Sequence, residues 1–130
     1  MKKILAALAV VMSIAACSSQ PEQSFKGKDY EMLQAQNGVQ VILSFAQDEN
    51  RFYGRVVNNY FGNYEASNGK IKFGDVASTM MMGPADEMEA EHNFLQILPK
   101  ITAYRFSGDN LVLITDNGQE LAFKETKAEE

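Results

Sequence analysis

Three consecutive methionines, Met80 to Met82, stand just before a Gly-Pro pair and an acidic run, and a further methionine follows at Met88. Thioether sulfur is a soft ligand that suits Cu(I) in an exported protein. The surrounding pattern predicts a strand over residues 77–81, in which successive side chains point to opposite faces. Three neighbouring sulfurs on such a strand cannot converge on one metal, so we expect no metal here. Two interpretations stay open: an adaptable methionine-lined pocket, or plain packing in which Met81 and Met88 fill the gap between sheet and helix.

Glu91 is a candidate for chemistry because it falls on the apolar stripe of a predicted helix, together with Met88 and Phe94. A carboxylate in that position is half-buried and must find hydrogen-bond donors or become protonated. The plainer interpretation is a structural hydrogen bond to backbone amides, to Arg105 or to a tyrosine. The sharper interpretation is a polar anchor inside a ligand cavity.

The aromatic-rich stretch over residues 53–64 offers further candidates. We expect Phe61 and Tyr64 to line the interior of the fold, either as core residues or as ligand contacts. The full set of candidate interior or ligand-facing residues is therefore Phe61, Tyr64, Met81, Met88, Glu91 and Phe94.

Residue types that carry hydrolytic or metal-dependent catalysis are scarce in this sequence. His92 is the only histidine, no glycine-flanked serine elbow accompanies it, and we expect it on the solvated surface. A zinc site needs three or four nitrogen or sulfur ligands, and the chain has one histidine and one cysteine. No glycine loop of the phosphate-cradling kind is present. We therefore predict a protein that is not an enzyme and holds no metal or other cofactor.

The first sixteen residues have the form of a secretory signal: a basic start, a short apolar run and small residues before Cys17. Residues 14–17, Ile-Ala-Ala-Cys, resemble the lipobox of bacterial lipoproteins, in which the cysteine is acylated with fatty acids such as palmitate. Cys17 is the only cysteine and can form no internal disulfide, so the alternatives are a free thiol or an intermolecular bridge. More than one acyl chain gives stable membrane attachment. Ser18 resembles the signal for the outer membrane, facing the periplasm.

The net charge limits the classes of partner that the protein can bind by electrostatic attraction. The chain carries 12 basic and 17 acidic residues, and removing Lys2 and Lys3 with the signal takes the formal charge from −5 to −7. A basic footprint for nucleic acid is therefore missing. An acidic domain does not adhere to anionic lipid by charge, so we expect membrane attachment through Cys17 alone.

Turn and strand signals predict one domain over residues 29–125, between a flexible tether at 17–28 and a disordered tail at 126–130. Nine β-rich runs alternate with turns, three of them Asn-Gly pairs that favour type I′ hairpins. Short strands at this spacing favour a sandwich or barrel, and closure removes exposed edges. We predict a mainly β fold: a small antiparallel, lipocalin-like barrel of about eight strands.

One segment departs from the β pattern. Pro84 suits a first helical position, acids load the following turn, and Pro99 marks an end. The sequence therefore predicts one amphipathic helix over residues 84–98, inserted among the strands and covering one mouth of the barrel.

The stretch from Asn58 to Leu98 resembles the META domain of HslJ-type heat-shock lipoproteins. The residues that carry the resemblance are Asn58, Tyr60, Phe61, Gly62, Tyr64, Ile71, Phe73, Ala77, Ser78, Thr79, Met81, Pro84, Glu91, Phe94 and Leu95. Many relatives place cysteines just before the asparagine and just before the proline, where this chain has Val57 and Gly83. If those cysteines pair in relatives, packing must replace a disulfide here.

The resemblance implies a lipocalin-like barrel with one helix, no established catalytic residues and a stress-related role in the Gram-negative envelope. We expect a monomeric, lipid-anchored domain that binds an envelope protein or a small apolar ligand. The alternative is an inhibitor of an envelope-attacking enzyme such as lysozyme, since an acidic protein suits a basic target.

Overall fold

The computed structural model describes residues 25–126. Its elements are β1 Asp29–Met32, β2 Ile42–Phe45, β3 Arg51–Arg55, β4 Asn59–Ser67, β5 Lys70–Phe73, β6 Ala77–Ser78, α1 Ala85–Ile97, β7 Ile101–Ser107, β8 Asn110–Thr115 and β9 Glu120–Thr126. Single 3₁₀ turns lie at Gln36–Gly38 and Leu98–Lys100.

Eight of the strands close into an antiparallel barrel. Strands β1 to β5 pair in sequence, β7 takes the place beside β5, and β9 returns to pair with β1. The ninth strand, β6, pairs with Tyr60 and Phe61 on the edge of β4 whose other half pairs with β5. The predicted fold class, a mainly β barrel of eight strands with one inserted helix, is confirmed.

Alternation along the strands sends aromatic side chains into the barrel. On β4, Tyr60 and Tyr64 are buried while Phe61 and Asn63 are exposed. The interior is filled by packed rings and aliphatic groups. The Phe73 ring lies 4.9–6.5 Å, between centroids, from those of Phe45, Phe52 and Tyr64, and the Phe45 and Tyr64 rings lie 5.4 Å apart. The barrel centre is therefore a packed core.

The barrel has two ends, which we call the upper mouth, under α1, and the lower mouth, beside Phe25; different residues close each of them. At the upper mouth, α1 lies across the opening and inserts Phe94, whose ring centroid is 5.7 Å from that of Tyr60 and 6.3 Å from that of Phe123. At the lower mouth, Phe25 is 1% exposed and its ring lies 5.1 Å from that of Tyr104.

The position of Phe25 corrects the expected boundary of the tether. The Gly27 N–H donates to the Phe45 carbonyl at 3.0 Å, and the Phe45 N–H donates to the Lys28 carbonyl at 3.1 Å. Residues 25–28 therefore belong to the fold, ahead of its predicted start at residue 29, because Phe25 is a core residue within a stretch whose polar composition is that of a linker. At the other end, Thr126 belongs to β9. Residues 1–24, including the predicted signal and Cys17, and residues 127–130 lie outside the described residues.

Of the three Asn-Gly pairs, Asn68-Gly69 forms the expected two-residue hairpin, with φ values of 52° and 81° joining β4 to β5. Asn37-Gly38 also has positive φ at both residues but lies in a 3₁₀ turn within the longer β1–β2 connection. Within residues 25–126, no helix has the length and apolar character that spanning a membrane requires.

Candidate functional site

Glu91 lies on the inner side of α1 and is 6% exposed, the only acidic residue in the buried part of the described chain. Its Oε1 accepts hydrogen bonds from the Val57 N–H at 3.0 Å and from the Asn58 N–H at 2.8 Å. Its Oε2 accepts a bond from the Asn58 side-chain Nδ2 at 2.9 Å. The structural hydrogen bonds to backbone amides expected of Glu91 are therefore present. Arg105, the other expected partner, pairs instead with Glu120 at 3.0 Å.

Asn58 is the second member of this network and is 3% exposed. Its Nδ2 also donates to the Met81 carbonyl at 3.1 Å, while its Oδ1 accepts from the Thr79 hydroxyl at 2.8 Å and from the Met81 N–H. A carboxamide offers two donor hydrogens and two acceptor lone pairs, and all four are used. The sequence marked Asn58 as part of the resembling motif but did not indicate this role.

These bonds join three segments that are far apart in the chain: the β3–β4 corner, the loop after β6, and α1. We call the group Val57, Asn58, Thr79, Met81 and Glu91 the upper clamp. Asn58, Thr79, Met81 and Glu91 belong to the motif that carries the family resemblance. These four motif residues therefore form one hydrogen-bonded cluster, and their spacing in the sequence reflects the meeting of three strand ends under one helix.

The clamp explains where β6 ends. The strand was expected to run to Met81 but stops at Ser78, because the N–H and C=O of Met81 bond to the side chain of Asn58 rather than to a neighbouring strand. Met80, Met81 and Met82 then project from a loop and are 89%, 52% and 86% exposed. The expectation that Met81 fills the gap under the helix is therefore wrong, since its side chain is largely in solvent while its backbone groups bond to Asn58.

The remaining candidates fall in different places. Tyr64 and Phe94 are buried in the core, and Met88 is half-buried on α1. Phe61 is 40% exposed and its ring lies under the Arg51 guanidinium at 5.3 Å. The expectation that Phe61 lines the interior together with Tyr64 is wrong, because residues three apart on a strand face opposite sides.

Tyr60 shows how tightly this end of the barrel is packed. Its hydroxyl donates to the Ile42 carbonyl at 2.6 Å, and it passes Gly54, where a β-carbon would lie only 2.5 Å from that hydroxyl. Burial raises the pKa of Tyr60 above its ordinary value, so the hydroxyl remains a donor at neutral pH.

Val57 and Gly83 touch at the edge of the clamp. A β-carbon built on Gly83 would lie 3.7 Å from Val57 Cβ, a distance typical of the two β-carbons of a disulfide. The structure therefore fits the pairing that the resemblance implies for cysteines at these two positions in relatives. In this chain, Val57 occupies the space over Gly83 instead.

The described part of the chain offers little for metal or acid–base chemistry. Residues 25–126 contain no group of three or more His, Cys, Asp and Glu side chains arranged to hold a metal ion. His92 is exposed on α1, as expected.

A cavity of about 300 Å³ lies between α1, the β1–β2 connection and the β8–β9 hairpin. Its wall includes Phe94 but not Glu91. The sequence did not predict this cavity, since its lining comes from three separate segments whose meeting depends on the barrel's closure.

Comparison with known proteins agrees with this architecture. A model of the META domain family matches residues 20–128. The NMR structure of a protein from Burkholderia xenovorans has a TM-score of 0.67 and 18% identity, covering 93% of this chain and 100% of its own. A second NMR structure has a TM-score of 0.62 and 20% sequence identity, and the match covers 82% of this chain and 95% of the other. The crystal structure of a DUF4847 family protein from Bacteroides vulgatus has a TM-score of 0.59 and 14% sequence identity, and the match covers 83% of this chain and 99% of the other. Among curated proteins, none matches this chain in sequence. These structural likenesses show the shared fold.

Replacing Glu91 tests the clamp. Glu91→Ala leaves the amides of Val57 and Asn58 without acceptors, so we expect the free energy of unfolding to fall by about 2–4 kcal/mol. Glu89→Ala, an exposed acid on the same helix, is the matched control and should change it by less than about 0.5 kcal/mol. Urea unfolding measures both, and equal losses for the two variants would refute the clamp.

Restoring cysteines tests the geometry at the clamp's edge. In a Cys17→Ser background, Val57→Cys with Gly83→Cys should form a disulfide under oxidising conditions and raise the free energy of unfolding by about 2–4 kcal/mol. Reductant should abolish the gain, and each single variant serves as a control for the lost packing. Thiol counting together with urea unfolding measures the effect; two free thiols after oxidation would contradict the predicted geometry.

Proposed function

The chain belongs to the META domain family, and from that premise we propose a non-enzymatic, lipid-anchored domain of the outer membrane that faces the periplasm. It binds a protein partner or a small ligand and has a stress-related role in the cell envelope. Attachment is through acyl chains on Cys17.

The observation that carries the proposal is the methionine row, Met80–Met82, held out into solvent by the upper clamp. Large apolar side chains on a fixed backbone gain nothing for folding when they are exposed. Methionine is flexible and polarizable, and it suits surfaces that adapt to a partner. A loop with both backbone groups of Met81 bonded to a buried side chain loses little further entropy on binding.

The positions of Phe25 and the methionine row at opposite ends of the barrel support a defined orientation of the domain relative to its anchor. Phe25, the first residue that the structure describes, lies in the lower mouth. The methionine row follows β6 at the upper end, beside Asn59, whose carbonyl accepts from the Thr79 N–H at 3.0 Å. Phe25 follows Cys17 by eight positions in the sequence, a length of chain that reaches at most about 28 Å. A domain anchored at Cys17 therefore presents the row on the side away from the tether.

The alternative function, inhibition of an envelope-attacking enzyme such as lysozyme, has one supporting observation. Asp86 and Glu89 are exposed directly after the methionine row, so apolar and acidic groups lie side by side where a basic enzyme would dock. A lysozyme-inhibition assay separates the two functions: activity unchanged at large molar excess of this protein removes the alternative.

Capture of partners from an envelope extract tests the leading proposal. Protein anchored through Cys17 should retain a specific protein, and Met80→Ser with Met82→Ser should lower its recovery at least tenfold without lowering the urea midpoint, because both side chains are in solvent. The matched control is Leu33→Ser with Tyr53→Ser, two residues that are each 44% exposed elsewhere on the barrel. Equal recovery by the methionine variant and the wild type would contradict the proposed surface.

A further inference from the structure

The cavity beside α1 is a partly open cleft with the size of a small-molecule site. Three elements form its walls, and its volume of about 300 Å³ lies at the lower end of the range for ligand pockets. It lies outside the packed barrel core, so occupying it requires no rearrangement of the aromatic rings.

The floor of this cavity is apolar and belongs to the core. Four buried residues contribute to it, and they are Val41, Ala90, Phe94 and Leu121. Because these side chains are fixed by packing in the core, the floor is preformed and offers apolar groups to a ligand.

The rim of the cavity is rich in one functional group. Four exposed carboxamides stand around it, from Gln34, Gln36, Asn93 and Gln119. Asn93 Nδ2 donates to Gln36 Oε1 at 2.8 Å, which bridges α1 to the β1–β2 connection and fixes the orientation of two of the four. Each carboxamide presents a donor and an acceptor together, which complements an amide group in a ligand.

The charges of the lining residues argue against an ionic ligand. Among the described residues around the cavity, Glu120 alone is titratable, and its carboxylate accepts a hydrogen bond from Arg105 at 3.0 Å. An apolar floor makes it costly to desolvate a charged ligand that has no counter-charge. The occupant should therefore be neutral.

We propose that this carboxamide-rimmed cavity binds a neutral small molecule with an amide group next to an apolar face. The inference rests on the small-ligand form of the proposed function and assigns it a site. Two sources share this chemistry, an acetamido sugar and an acylated, uncharged peptide. In both, the apolar face would lie against Phe94 and Leu121 and the amide would meet the rim.

Titration followed by NMR tests the proposal on ¹⁵N-labelled protein purified from membranes in detergent. The probes are N-acetylglucosamine and N-acetylalanine amide, with glucose as the control that lacks an amide. We expect saturable shifts of the side-chain NH₂ signals of Gln34, Gln36, Asn93 and Gln119 with at least one amide probe, and none with glucose. The probe that shifts them identifies the source.

Variants separate the cavity from a surface effect. Gln34→Ala with Gln119→Ala should weaken the response at least tenfold, whereas Gln96→Ala, an exposed carboxamide on α1 outside the cavity, should leave it unchanged. Shifts absent up to about 10 mM of both amides, or equal for glucose, would overturn the proposal. If the wild type still captures an envelope protein while no probe binds, the cavity assignment fails and the partner-binding function stands. If a probe binds but no envelope protein is captured, the cavity assignment stands and the partner-binding function fails.

Discussion

The upper half of this barrel depends on one buried carboxylate. Among residues 25–126 no cation forms an ion pair with Glu91, and its removal from water costs several kcal/mol, which the donors of Val57 and Asn58 must offset. Hydrogen bonds to a charged group contribute about 1.5–3 kcal/mol each, so cost and gain nearly balance. The interaction therefore adds little net stability but makes any other arrangement of the corner, loop and helix expensive. It fixes geometry, and the geometry it fixes is that of the methionine loop.

The barrel therefore has two regions that are stabilised by different interactions. Below, aromatic rings from Phe25 to Phe73 form a core held by apolar burial and ring packing. Above, the strands diverge towards α1, and a polar network with almost every hydrogen-bonding site occupied joins them. At the edge of this junction, Val57 packs over Gly83 and occupies the space that a disulfide between these two positions would fill. A junction held by hydrogen bonds and packing can present surface features such as the methionine row without a covalent link.

The sequence predicted what depends on local patterns and missed what depends on long-range meeting points. Alternation and turn residues identified the strands, and Pro84 with its following acids identified α1 to within one residue at each end. The same alternation, applied beyond Ser78, gave a strand that does not exist, because the side chain of Asn58 takes the backbone groups of Met81. Phe61 was placed inside because its face was judged by aromatic character rather than by register with Tyr60. The cavity was invisible for a related reason: Gln34, Asn93 and Gln119 are unremarkable polar residues until barrel closure brings them to one rim.

The central claim is that Glu91 holds the β3–β4 corner and the methionine loop as one cooperative unit, and hydrogen exchange of three backbone amides tests it most directly. The N–H groups of Val57 and Asn58 bond to Glu91, and that of Met81 bonds to Asn58. Under native conditions the three should exchange with the same free energy of opening, although Met81 lies in an otherwise exposed loop. A Met81 amide that exchanges as fast as an unprotected one, while Val57 and Asn58 stay protected, would contradict the claim.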